Sequence, residues 1–138
     1  MASLQKSYRA LKVPVTLCVR LRMPHGHGAA GENPEEIVAF AEHFARGAAA
    51  LPEITGVKRE GRQVTVRFNP NGRVVARAEL NYTADTGVWK ERKWESAPIE
   101  ANACSGEATG EIPAQAKVYY VNLITDDELV VSTGHEAL

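Results

Sequence analysis

Leu21-Arg-Met-Pro-His-Gly-His-Gly28 leaves an alternating apolar run, crosses a glycine-rich turn with two histidines, and leads to a well-signalled helix. Upstream of it, Val13, Val15, Leu17, Val19 and Leu21 point one way and Pro14, Thr16, Cys18, Arg20 and Arg22 the other. A period of two over this length predicts a strand with one buried face. The arginines on its second face and the early proline suit an edge strand. Downstream, Asn33 can cap a helix, Pro34 suits the first helical position, and Glu35 and Glu36 favour the first turn. Ile37, Phe40, Ala41 and Phe44 recur at helical spacing, with Gly47 and Pro52 placed to end the helix. So short a helix needs an apolar partner to persist in water. Residues 1–12 read as a polar, irregular lead-in.

Beyond Leu51-Pro52 the pattern turns to β. Val64, Val66 and Phe68 alternate before the turn Asn69-Pro-Asn-Gly72, and Ala76, Ala78, Leu80 and Tyr82 share a face before Ala84-Asp-Thr-Gly87. Val88 to Trp94 reads as a further strand, and Pro98 interrupts the next segment. Ala108, Gly110 and Ile112 alternate with Glu107, Thr109 and Glu111. Lys117 to Ile124 is the most apolar strand, joined by an acidic turn at Asp126-Asp127 to Leu129-Val-Val-Ser132. Short, regularly spaced strands with turn residues between them predict a mainly β protein. The expected architecture is an antiparallel sandwich of immunoglobulin or fibronectin-III type over residues 53–138, preceded by a strand-loop-helix arm over 1–52. The cysteine spacing excludes the antibody version.

The composition narrows the function classes. With 138 residues, 44% hydrophobic, 24% charged and a formal net charge of -1, the chain suits one core-forming domain or a small domain with an appended piece. It offers no electrostatic case for nucleic acid or an anionic membrane. No segment reads as an export signal or a bilayer-crossing run, so a soluble chain without a signal peptide is expected, its location otherwise open. Cys18 and Cys104 are too few for a disulfide framework and lie beside no evident base, so each is expected to be a small buried or half-buried thiol.

His25 and His27 are the residues that could carry chemistry. A general base sits on a well-positioned turn at the rim of a sheet, with small neighbours that admit substrate. Gly26-His27-Gly28, between strand and helix, meets that description. The run Val13 to Gly28, followed by Asn33-Pro-Glu-Glu-Ile-Val-Ala-Phe-Ala-Glu-His-Phe44, resembles the C-terminal end of a bacterial α/β-hydrolase. It looks most like the esterase and peptidase-like hydrolases related to acetyl-xylan esterases and prolyl oligopeptidases. The downstream half, through Trp89-Lys-Glu-Arg-Lys-Trp94, Val118 to Ile124 and Leu129 to Ser132, resembles the fibronectin-III/Ig-like domain that follows some of these enzymes. The resemblance implies that His27 or His25 is the triad base, with His27 favoured by its flanking glycines.

The chain departs from that family in one decisive respect. It has no Gly-x-Ser-x-Gly elbow, and none of Ser3, Ser7, Ser96, Ser105 and Ser132 has such a context. A histidine without serine and acid has nothing to activate. The expected function is therefore the C-terminal part of a serine hydrolase, inactive alone and partnered by an upstream hydrolase domain or by a second copy of the chain through the arm. The alternative is a non-catalytic binding or assembly module with a vestigial histidine loop.

Other readings stay open at this point. The histidine pair could be exposed imidazoles on a glycine turn, or metal ligands joined by His43 or His135, though no spacing is diagnostic and neither metal nor cofactor is expected. Trp89 and Trp94 could stack on a sugar, but strict alternation puts them on opposite faces unless a bulge intervenes. Asn81-Tyr-Thr83 is formally a glycosylation acceptor inside an expected strand.

Overall fold

A computed structural model describes residues 2–13, 15–21 and 34–138. His25, His27 and the expected cap Asn33 lie outside the described residues. Among the described residues two helices, α1 (Ala2–Ala10) and α2 (Glu35–Arg46), precede eight strands. These are β1 (Glu53–Glu60), β2 (Gln63–Asn69), β3 (Val75–Thr83), β4 (Glu95–Asn102), β5 (Glu107–Glu111), β6 (Val118–Thr125), β7 (Val130–Ser132) and β8 (Glu136–Ala137).

The fold is mainly β and antiparallel. The strands are joined in the order β1-β2-β5-β4-β3-β6-β7, with β8 also on β6. This is one sheet, curled into a half-barrel. Its continuity depends on β4, whose first half pairs with β3 (Tyr82 opposite Glu95, Ala78 opposite Ile99) and whose last residues pair with β5 (Glu100 opposite Thr109). Pro98 was expected to interrupt this segment. It sits within β4 instead, opposite Glu79.

The core fills the concave side. Val64, Val66 and Phe68 meet Leu80 and Tyr82, with Tyr119, Val121 and Leu123 of β6 beneath them. Every residue of β6 is buried, so its outer face is covered as well. Burying an aliphatic or aromatic side chain contributes about 1.5–3 kcal/mol, which makes β6 the strand the rest of the sheet is built against. The hairpin to β7 turns at Glu128 with φ 63°, and the Thr125 hydroxyl accepts from Leu129 N at 2.9 Å.

Several expectations are corrected. The lead-in is helical: α1 is held to the C-terminal segment where Gln5 Nε2 donates to the His135 carbonyl at 3.0 Å. The arm does not form a ladder over residues 13–22. Within the described residues it has one bridge, Leu17 to Ser132, and its expected buried face is open at Val13, 63% exposed, and Val15, while Leu17, Val19 and Leu21 are half-buried. Val88 to Trp94 is not a strand but holds a single 3₁₀ turn at Trp89–Glu91. Side chains there bond the local backbone: Arg92 Nε donates to Gly87 O at 2.9 Å, and Asp85 Oδ2 accepts from Lys93 N at 2.7 Å. Such local bonds compete with a ladder. β1 has no clean alternation, and its register comes from β2, with a bulge between Ile54 and Gly56.

Both cysteines are exposed rather than buried. Asn81 is the reverse, fully buried and accepting from Ser96 Oγ at 2.5 Å, so the glycosylation triplet is out of reach. Among the described residues no helix is long and apolar enough to cross a membrane.

Gly106 closes the turn between β4 and β5 with φ 66°, and a Cβ there would lie 2.5 Å from the Phe68 carbonyl oxygen. Backbone cannot yield as a side chain can. Gly106→Ala is expected to cost about 2–4 kcal/mol in urea denaturation. Gly56→Ala, with nothing within 4 Å of the new methyl, should stay within about 1 kcal/mol of the native chain.

Candidate functional site

The histidine stretch is bracketed by two described segments, residues 15–21 before it and α2 after it, and the structure ties them together. Arg20 Nη2 donates to Glu36 Oε1, and the same carboxylate oxygen accepts from Val130 N at 2.9 Å. Arg20 Nη2 also reaches the Glu128 carbonyl at 2.7 Å. Glu36 therefore joins both legs of the loop to the β6–β7 hairpin. Its residue is 5% exposed, and among the described residues its Oε2 has no hydrogen-bond partner.

Burial alone would raise the Glu36 carboxyl. The amides of Glu36 and Val130 and the Arg20 guanidinium outweigh that and hold it below its ordinary value. The neighbouring Cys18 thiol is pushed up to about 11, first by burial of the sulfur among these groups and then by the Glu36 charge. The residue as a whole is exposed, but its sulfur is turned toward these groups and stays a protonated thiol at neutral pH.

A second set of bonds holds the incoming leg. Ser132 N donates to Leu17 O at 2.8 Å, Val19 N to Ser132 Oγ at 2.8 Å, and Asn122 Nδ2 to Val19 O at 3.1 Å. Ser132 Oγ in turn donates to Asn122 Oδ1 at 2.7 Å. Two side chains thus take the place of a strand ladder, satisfying the backbone of Val19 without a neighbouring strand. The outgoing leg is fixed at its far end. Gly47 caps α2 with φ 69°, and Arg73 ties the linker down through Ala49 O and Ala50 O, both at 3.0 Å, while bonding Asp127 at 2.7 Å.

α2 is docked in an unexpected orientation. At 100° per residue, Glu36, Ala39 and His43 share one side, and this side meets the rest of the molecule. Ala39 packs on Leu51, Leu129 and Val131, and His43 Nδ1 bonds Ala48 O at 2.8 Å. The stripe that was expected to seek cover is exposed: Ile37, Phe40, Ala41 and Phe44 face outward with Val38 and Ala45. Between Phe40 and Phe44 on one wall and Val13 and Val15 on the other lies a cleft of about 770 Å³, floored by Leu51, Ile54 and Val131.

The two tryptophans come together instead of separating. Their rings stack at 5.6 Å, with Arg92 lying 4.4 Å over Trp89, His135 edge-on to Trp89 at 5.2 Å and Trp94 edge-on to Tyr120 at 5.5 Å. The indoles bind one another and the outer face of β6, which makes them a clasp and not an open sugar platform. Leu21, the last described residue before the histidines, lines a cavity of about 610 Å³ with both indoles.

Sequence reading found neither Arg20 nor Glu36 as a pair. Each had a sufficient local explanation, as an exposed strand residue and as a first-turn acid. His43 and His135 are engaged separately, one with Ala48 O and one with Trp89, and among the described residues no group of three or more histidines, cysteines and acids is placed to hold a metal ion. No family model, curated protein or solved structure matches the chain.

The linkage through Glu36 has a defined sign. Its carboxyl is lowered in the folded state. Its contribution is therefore complete above the ordinary carboxylate value of about 4.3 and fades as pH falls toward the depressed one. Glu36→Gln is expected to lose about 1–2 kcal/mol at pH 7, the half-exposed Arg20 limiting the penalty. The gap to the native chain should narrow below pH 4 in denaturation series. Parallel curves for the two chains would contradict this assignment.

Proposed function

We propose that the chain is the C-terminal part of a serine esterase or peptidase-like hydrolase, carrying the base-bearing loop and a fibronectin-III/Ig-like accessory. The supporting observation is the Arg20–Glu36 pair, which joins the segments on either side of the histidine stretch and anchors them to Val130. A general base works only when its backbone is held to within a fraction of an ångström. Both legs of this loop are attached to one hairpin, which is the support such a base needs. His27 is the favoured base and His25 its neighbour. The serine, the orienting acid and the oxyanion donors belong to an upstream hydrolase domain, the partner this reading requires.

In this scheme His27 would take the proton of an incoming serine and return it to the leaving group, held in its tautomer by an acid from the partner. The chain alone lacks the nucleophile and is an incomplete catalyst. A second reading, a non-catalytic assembly module, is favoured by the outward apolar face of α2.

Assays of p-nitrophenyl acetate hydrolysis separate these readings. The chain alone should run at the buffer rate. A polypeptide extended upstream to include a strand–Gly-x-Ser-x-Gly–helix unit should hydrolyse the ester, be labelled by a fluorophosphonate, and lose roughly 10⁴-fold or more in rate with His27→Ala. Hydrolysis by the chain alone that vanishes in His27→Ala, or an upstream reading frame without that unit, would overturn the proposal.

A further inference from the structure

The 3₁₀ turn at Trp89–Glu91 and the residues that follow it wall the cavity of about 610 Å³, a size typical of small-molecule sites. Its lining is of two kinds. Leu21, Trp89 and Trp94 supply apolar wall, and Lys90, Arg92 and Lys93 supply positive charge. One acid, Glu95, stands against these three cations, and its Oε2 already accepts from the Tyr82 hydroxyl at 2.7 Å. Asp85 and Glu91 are close in sequence but do not line the cavity, and Asp85 Oδ2 takes the Lys93 amide. Among the described residues neither the Lys90 nor the Lys93 ammonium has a hydrogen-bond or ion-pair partner. A cleft with charge of one sign over a low-dielectric wall concentrates the opposite ion.

The cationic wall is fixed in place. Arg92 lies 4.4 Å over the Trp89 ring, donates from Nε to Gly87 O at 2.9 Å and from Nη2 to Thr86 O at 3.3 Å. Its Nη1 is left without a partner among the described residues. Trp89 stacks on Trp94, and Trp94 is held edge-on by Tyr120 of the buried strand β6. These walls stand before any ligand arrives, which reduces the ordering cost of binding. A guanidinium held in one orientation offers directed donors to a carboxylate.

We propose that this cavity binds an organic anion with an aromatic body. The carboxylate is taken by Arg92, Lys90 and Lys93, and the ring lies against the indoles and Leu21. An inorganic anion would leave the apolar wall wet, and a neutral ring would leave the cations unmatched. The inference concerns the chain by itself and does not rest on the hydrolase reading.

Calorimetric titration of the native chain with naphthoate, naphthylmethanol and inorganic phosphate tests it, since the first probe carries ring and charge and the others one each. Naphthoate should bind with a Kd of about 1 mM or tighter. The alcohol and phosphate should each bind at least about tenfold more weakly. The chain holds two tryptophans, both in this wall, so both indole N–H signals in proton–nitrogen correlation spectra should move with naphthoate. Lys90→Gln with Lys93→Gln alters two exposed side chains and should weaken naphthoate about tenfold at an unchanged melting temperature. Equal binding of the alcohol would show that charge is not read, and equal binding of phosphate that the ring is not. Full naphthoate binding by the double variant would place the anion elsewhere. Each of these results overturns the proposal, as does the absence of heat and of indole shifts at about 10 mM naphthoate.

Discussion

The carboxylate of Glu36 is the point on which the arm depends. One of its oxygens takes both the Arg20 guanidinium and the Val130 amide, so three stretches remote in sequence meet at a single atom. A buried charge is tolerated only when paired and hydrogen-bonded, and the pairing dictates what else can happen. The first turn of α2 must lie against the hairpin, with Arg20 close by. The helix is thereby rotated so that its small residue Ala39, and not its phenylalanines, reaches the sheet. An apolar surface is left outside as the consequence of a polar anchor inside.

The anchor works only because the hairpin beneath it is rigid. β6 is buried over its whole length, its inner residues by the core of the half-barrel and its outer ones by the Trp89–Trp94 clasp and the incoming leg. Asn122 and Ser132 stand on adjacent strands of this hairpin, paired in register, and jointly hold Val19. The incoming leg is thus held to the best-packed part of the molecule although, among its described residues, it has one bridge and no ladder. Such support for a loop is what positioned chemistry needs, and it equally serves a module whose loop is no longer used.

The β half was largely legible. Alternation at Val64, Val66 and Phe68, the turn at Asn69 to Gly72, and the hairpin at Asp126-Asp127 are local patterns, and each is realised where it was expected. α2 was equally legible in its limits, from the acids of its first turn to the left-handed Gly47. The misreadings share one cause. Val13 to Leu21 alternates like a strand, yet beyond its one bridge at Leu17 it is held by two side chains on β6 and β7 that satisfy the backbone of Val19. Val88 to Trp94 carries β-prone residues, yet Arg92 and Asp85 hold its backbone in a local turn. Residues 2–10, polar and without a clear stripe, are helical in contact with His135.

The sequence by itself determined the elements whose signals are local: turn-bounded antiparallel strands, and one capped helix with an apolar stripe. Only the tertiary structure decided that the strands join in one curled sheet, that Trp89 meets Trp94, and that α2 turns its stripe away from the sheet. The physical reason is separation along the chain. The bonds that settle these outcomes link residues far apart, as Glu36 to Val130 and Val19 to Ser132. A residue such as Glu36 reads as an ordinary first-turn acid until the chain folds and brings its partners to it.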